Sequence, residues 1–471
     1  MKFSRRRAAF FAIILLLGAC TAAPSVVRPA LEEEGEIYIY LDAFPQEADA
    51  LKFRVEEISA LGEDGSRYPL TMKIEDLSLS AVDRQRLLAW GVLPPGKYLG
   101  LSVKVKEAVL ETGEAESIAL ALPEEPGTSE FPFEIERKKS LMLSFRFLYA
   151  ESVGTDLSFT PVFSVESPAL PVQSLLGYAV NYGSNTITIF NKREFRVTGV
   201  LATGRGPRGM ALDPIGKRAY VSLSDEDAVD AIDTITGEFV GRINLRAGDF
   251  PTELALTPNG DSLLIVNTGS DSVSVADPFS LAEIERITVG DGPNSILLEP
   301  VTGQKAYVFN TLSNTISILD IPNRALSGTL STETGPLRGQ LNRDQDRLYV
   351  IHQDSPYLNV FDAASLQLLK RELVGLGVIS IKVDTDTDFI YLGRRPDPAM
   401  YLLDPFSFVS MGMVRTGGSV AYMTIDGEEN NLYLLIPEQN ELLIMELVSR
   451  RIIARMDMGE EPAWVTLIGE R

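Results

Sequence analysis

The sequence is short of the residues that carry most enzyme chemistry. Cys20 is its only cysteine and His352 its only histidine in 471 residues. A single cysteine excludes an internal disulfide framework and every multi-cysteine zinc, haem-attachment or iron–sulfur motif. A single histidine excludes a multi-histidine copper site and a histidine pair on haem, and any Ser-His-Asp arrangement has to use His352. His352 ends the apolar run YVIH and is expected at the surface or in a turn. No Walker loop or dinucleotide fingerprint occurs. No metal site and no cofactor is therefore expected.

Positive charge is scarce too: 43 Lys and Arg face 65 Asp and Glu, for a formal charge of −22. Such a surface repels phosphate backbones and excludes nucleic acid as the expected partner. Long hydrophobic runs are also missing. The apolar stretch Phe10 to Leu17 is too short to span a bilayer as a helix. It follows Lys2, Arg5, Arg6 and Arg7 and leads into Leu17, Gly18, Ala19 and Cys20, which resemble the lipobox of bacterial lipoproteins. Residues 1–20 thus read as a signal peptide, with Cys20 acylated and the mature chain held on a membrane by acyl chains. Cleavage before Cys20 removes four positive charges, leaving −22 − 4 = −26. Thr21, rather than Asp, follows the cysteine, which fits a bacterial envelope location and the outer membrane where one is present.

What the sequence has in abundance is internal repetition. YAVN at Tyr178 returns as YVSL at Tyr220, LIVN at Leu264, YVFN at Tyr307, YVIH at Tyr349, YLGR at Tyr391 and YLLI at Tyr433. The steps between starts are 42, 44, 43, 42, 42 and 42 residues, the period of a repeated supersecondary unit. Thirteen residues after each start stands Asn191, Asp233, Asp277, Asp320, Asp362, Asp404 or Glu446, where a side-chain oxygen is suited to an Asx turn. Pro207, Pro251, Pro293 and Pro336 open further short apolar runs, Val378 and Val420 stand in the matching places, and Pro462 begins one final run. Alternating runs such as TITIF read as strands, so each period contains four short strands.

These three markers in phase resemble the YVTN-repeat β-propellers, over about residues 176 to 471. The resemblance implies a seven-bladed β-propeller closed by the C-terminal strand, in a family that is mostly a binding architecture. Fold alone does not fix function. Ahead of it, residues 35–165 contain no trace of the repeat, and alternating runs at Ile37 to Leu41, Leu51 to Ile58, Tyr98 to Val105, Ile118 to Leu122, Leu141 to Tyr149 and Leu157 to Val165 point to a β-sandwich. One helix is expected inside it, capped by Ser80 with Asp83, carrying Leu87 and Leu88 and ended by Gly91. LPPGKYLGLSVKV, from Leu93, resembles the Pro-Gly-x-Tyr strand start of transthyretin-like and Ig-like bacterial domains. Residues 166–175, with Pro168 and Pro171, form a semi-stiff linker that limits motion between the halves without abolishing it. The overall expectation is an all-β chain.

Binding residues are sought on the face that receives the loops after the second strands and those leading into the inner strands. Around the channel mouth stand Arg208, Glu253, Asn294, Arg338, Tyr422 and Trp464, with Tyr182, Tyr357, Arg394 and Arg395 in the surrounding loops. Arg208, Arg338, Tyr422 and Trp464 are expected at corresponding inner-strand positions, converging on one mouth. Tyr, Trp and Arg are the types that dominate binding hot spots. Asp249, Asp291, Glu460 and Glu461 offer oxygens for calcium at the same mouth, although their spacing forms no calcium loop. The leading expectation is a lipid-anchored envelope binding or scaffold protein whose sandwich spaces the propeller from the membrane, so that the loop face engages a protein, peptide or glycan. The alternative is a lactonase-like hydrolase acting on a small acidic substrate at the channel mouth.

Overall fold

A computed structural model describes residues 27–112 and 116–471. Cys20 and the 1–20 signal-peptide reading lie outside the described residues. The chain is nearly all β, with a β-propeller fold of four-stranded antiparallel sheets.

The N-terminal half is built on the strand Gly35–Leu41, which pairs in parallel with Ser140–Phe147 and antiparallel with Arg86–Leu93. A second sheet grows from Leu51–Gly62 and Gly96–Thr112. Both sheets contribute to one apolar cluster, in which Phe44, Phe53 and Phe147 pack with ring centroids 4.9 to 6.0 Å apart. The expected helix after Ser80 is absent. Residues Arg86–Leu93 are a strand instead, and burial gives the reason. Leu88 faces the N-terminal cluster while its neighbour Leu87 faces the propeller, so adjacent apolar residues are buried on opposite sides. A helix cannot divide consecutive residues between two cores, whereas a pleated strand does so at every step.

Gly35–Leu41 works the same way. Ile37, Ile39 and Leu41 join the N-terminal cluster, and Tyr38 and Tyr40 join Phe190, Val197, Leu442 and Met456 of the propeller. Polar contacts fix the register of this docking. Asp457 accepts hydrogen bonds from Arg86 Nε at 2.8 Å, Arg84 Nη2 at 3.0 Å and the Leu87 amide at 3.1 Å. Gln85 exchanges two bonds with the Val197 backbone at 2.8 and 3.3 Å. An apolar seam bounded by partly buried ion pairs joins the two halves.

Among the described residues, seven four-stranded sheets follow. The first joins Leu176–Asn181, Thr186–Asn191 and Arg196–Ala202 to the C-terminal strand Pro462–Leu467, with Ala179 opposite Val465. The second to seventh begin at Pro207–Asp213, Pro251–Leu256, Pro293–Leu298, Pro336–Leu341, Val378–Val383 and Tyr422–Asp426. Each of these inner strands touches the next, and Pro462–Leu467 touches both Tyr422–Asp426 and Pro207–Asp213.

The repeated residues explain the period. Asp233, Asp277 and Asp404 each accept two backbone amides of the following turn through Oδ1, at 2.8 to 3.3 Å, and these bonds hold their carboxyls below the usual range. Asn191 does the same in the first sheet. The motif's tyrosine ties one sheet to the next by donating to the carbonyl just after the next sheet's turn acid: Tyr178 to Thr234, Tyr220 to Pro278, Tyr307 to Ala363. Tyr433 of the seventh sheet donates in the same way to Lys192 of the first, at 3.1 Å. The motif's asparagine clamps its own hairpin: Asn181, Asn267 and Asn310 each donate through Nδ2 to the hydroxyls five and seven residues on. His352 takes that asparagine's place and, contrary to the surface or turn expectation, is 1% exposed. Burial lowers its pKa, and Nδ1 lies 3.3 Å from the Tyr357 carbonyl.

A candidate binding cluster at the channel mouth

Register along the inner strands, which carry a bulge near the start in every sheet but the seventh, decides which side chains meet. Counting from the ladder, Met210 pairs Val221, Leu254 pairs Ile265, Gly339 pairs Val350, Met423 pairs Leu434 and Val465 pairs Ala179. By the same count Ile296 pairs Val308 and Ile381 pairs Leu392, so the residues immediately before these form one layer: Gly209, Glu253, Ser295, Arg338, Ser380, Tyr422 and Trp464. Arg208 lies one residue earlier, as does Asn294 before Ser295. A shift of one position along a strand sends a side chain to the other face, so Arg208 does not join the layer as the sequence reading expected. It stacks on Tyr182 at 4.2 Å and donates Nε to Ser224 at 3.1 Å. Asn294 donates to the Leu337 carbonyl at 3.4 Å.

Within the layer, side chains from four sheets converge. Arg338 reaches Glu253, 85 residues away, with a two-pronged contact of 2.7 and 3.2 Å. Its guanidinium carbon also lies 5.1 Å from the Tyr422 ring centroid and 5.3 Å from that of Trp464, within cation–π range. The two aromatic rings are 4.1 Å apart. Burial pushes the Glu253 carboxyl above its ordinary range, with the Arg338 charge and hydrogen bonds pulling it back. Burial also raises the Tyr422 hydroxyl well above 10, and Glu470 adds to this. The indole Nε1 of Trp464 is buried without a hydrogen-bond partner. This layer places an aromatic pair beside a guanidinium held by Glu253, with one buried donor left unpartnered.

The remaining loop candidates stay apart from it. Tyr357 is covered by Arg371 at 4.2 Å. Arg394 lies 5.2 Å from the Tyr401 ring and 3.4 Å from Asp397. The Arg395 amide donates to the Gly377 carbonyl. Two of the acids considered for calcium are already engaged. Asp249 receives both terminal nitrogens of Arg286 at 2.7 Å, and Glu460 binds Arg28 and Lys73. Although burial pushes the Asp249 carboxyl up, its hydrogen bonds to Arg286, Ser270 and the Arg246 amide outweigh that and hold it low. Among the described residues no group of three or more His, Cys, Asp or Glu is placed to hold a metal ion.

Two features escaped the sequence reading. One is a cleft of about 920 Å³ between the halves, lined by Asp42, Arg84, Arg146, Arg196 and Arg455 among others. The other is a clamp on Arg28, whose partners Gly183 and Glu460 are far away in sequence. No local pattern announces contacts at such separation.

No known family and no curated protein matches the chain by sequence. Solved structures do resemble it. The hydrazine synthase of Kuenenia stuttgartiensis is 21% identical over 55% of this chain and 88% of its own, with a TM-score of 0.49. The dihydro-heme d1 dehydrogenase NirN, in complex with DHE, is 14% identical over 64% of this chain and 78% of its own, at 0.51. A functionally unknown protein from Desulfotomaculum acetoxidans is 13% identical over 62% and 99%, at 0.54. At these identities the likeness bears on the β-propeller fold alone.

Proposed function

We propose that this chain is a lipid-anchored protein of the bacterial cell envelope that binds a protein, peptide or glycan at the mouth of its propeller channel. In this reading Cys20 carries the acyl chains, residues 35–165 are a β-sandwich, and residues 176–471 form a seven-bladed propeller of the YVTN type closed by Pro462–Leu467. The continuous contact of successive inner strands and the pairing of the C-terminal strand beside Leu176–Asn181 support the closed ring.

The observation that carries the binding role is the meeting of Arg338, Tyr422 and Trp464 in one layer, from three separate sheets. Repeat positions that serve the blade carry the same residue type in blade after blade. This layer keeps serine in two sheets, Ser295 and Ser380, but holds Gly209, Glu253, Arg338, Tyr422 and Trp464 in the other five, a set that differs from sheet to sheet as recognition of an asymmetric ligand requires.

The test is partner capture from crosslinked cells. Arg338→Ala and Tyr422→Ala should each abolish capture while circular dichroism stays that of a folded β protein. Trp464→Ala separates binding from packing, because loss of a large packed aromatic costs roughly 3 to 5 kcal/mol. Weaker capture at unchanged melting temperature supports the binding role; a large fall in melting temperature assigns Trp464 to packing. Capture that survives Arg338→Ala and Tyr422→Ala but is lost on changes within 35–165 moves recognition to the N-terminal half.

A further inference from the structure

We infer that the mouth face of the propeller is turned toward the membrane that holds the anchor, and that the occupant of the mouth is a segment of another protein held in that same membrane. The inference rests on the lipid-anchor reading of Cys20. It is carried by Arg28, the point at which the N-terminal tether is tied to the propeller.

Arg28 is held from every side. Its amide donates to the Gly183 carbonyl at 2.9 Å, and its own carbonyl accepts Asn185 Nδ2 at 2.5 Å. Its guanidinium lies 3.1 Å from the Trp90 ring centroid and binds Glu460 through Nε at 2.9 Å and Nη2 at 2.7 Å. Lys73 shares that carboxylate at 2.7 Å. Gly183 and Asn185 lie in the connection between the second and third strands of the first sheet, and Glu460 lies in the connection into Pro462–Leu467. Both connections are on the mouth face, so the tether reaches this face before the chain enters the N-terminal sheets.

The reach of the tether sets the orientation. From Cys20 to Arg28 there are 28 − 20 = 8 peptide steps. At full extension they span about 26 to 29 Å. The six-residue strands between the mouth face and the opposite turns measure roughly 20 Å. Turning the opposite face to the bilayer would spend most of the tether on the height of the propeller. With the mouth face turned to the bilayer, the N-terminal half is not the spacer that the domain order implied.

Charge and packing select the occupant. Asp225 and Glu461 on this face have the sign of anionic headgroups, while Glu226 is paired with Arg242 and Arg338 with Glu253. The aromatic pair and the Arg208–Tyr182 stack remain for contact, and they suit apolar or aromatic side chains of a protein segment.

Because Cys20 is the only cysteine, residues 20–471 can be coupled through it to a maleimide lipid in phosphatidylcholine vesicles bearing dansyl headgroups. The chain has two tryptophans, so Trp90→Phe leaves Trp464 as sole donor at the mouth. A companion chain carrying Trp90→Phe, Trp464→Phe and Phe279→Trp places the donor on an exposed turn of the opposite face. Energy transfer to the headgroups is expected to be severalfold greater from Trp464. Equal or greater transfer from position 279 overturns the orientation. Native acylation is read separately, as the acyl mass on Cys20; its absence overturns the anchor reading whatever the vesicles show. In intact cells, a photo-crosslinker at Arg208 should join an integral membrane protein that survives carbonate washing. A flexible Gly/Ser insert of about thirty residues after Thr21 should cut that adduct severalfold, by lowering effective concentration. Adducts to lipid or to a soluble partner, or an adduct indifferent to the insert, overturn the assignment of the occupant.

Discussion

Lys192 offers the sharpest test of how the two chain ends are joined. It follows the turn residue Asn191 of the first sheet, yet its side chain runs into the seventh and is 0% exposed. Its ammonium has three donors, and all are used: Asp426 Oδ1 at 3.0 Å, Glu428 Oε2 at 3.0 Å and the Ile468 carbonyl at 2.8 Å. Two of these partners flank the closing strand, so one side chain pins the last sheet, the C-terminal strand and the first sheet together. Lys192→Met keeps most of the volume and removes the charge, stranding Asp426, whose side chain is also 0% exposed. Breaking a buried pair from one side costs about 3 to 5 kcal/mol, because the remaining charge has no partner. At about 2 to 4 °C per kcal/mol for a domain of a few hundred residues, the melting temperature should fall by roughly 10 °C. Lys192→Met with Asp426→Asn removes both charges and should recover part of that loss, a coupling read from a double-mutant cycle in chemical denaturation. A Lys192→Met protein melting within a degree of the parent, or strictly additive losses in the cycle, would refute the reasoning.

Other outcomes follow from the same contacts. Truncation after Glu460 removes Pro462–Leu467 and leaves the first sheet without its inner strand, so a sharp loss of thermal stability is expected; melting at the parental temperature would refute the closure. Asp249 has a lowered pKa in the folded state, so its contribution is fully present above the ordinary carboxylate range near pH 4 and is lost as pH falls through the folded value. Asp249→Asn should thus be destabilised at pH 7 and converge with the parent in acid, and a difference that does not change with pH would sink the assignment. Tyr178→Phe and Tyr220→Phe should each cost about 0.5 to 1.5 kcal/mol in urea unfolding and add in combination. Asp457→Ala strips the acceptor from Arg86 Nε and the Leu87 amide and leaves Arg84 with Glu441, and calorimetry should then resolve separate transitions for the two halves.

The repeat was legible because it is local chemistry copied at a fixed period. Alternation in TITIF, the turn acid thirteen residues after each start and the proline before each inner run are short-range rules, and strands and Asx turns stand where those rules put them. The candidate cluster was legible in part, since Arg338, Tyr422 and Trp464 do share a layer. Arg208 was misassigned by one residue: it stands one place after Pro207, whereas Arg338, Tyr422 and Trp464 stand two places after Pro336, Val420 and Pro462, an offset that the sequence itself carries. Leu87 and Leu88 were misread as a helix face because a run buried on both sides carries no period.

The sequence by itself determined the all-β character, the period, the turn chemistry and the absence of any multi-histidine or multi-cysteine centre, all of which depend on residue identity within a few positions. Tertiary structure alone decided that Arg338 faces Glu253 and the aromatic pair, that Lys192 fastens the ring, that His352 is buried and that Arg28 ties the tether to the mouth face. Those contacts join residues tens to hundreds of positions apart. Curvature and register of the whole ring bring them together, and neither quantity is written in a local stretch of chain.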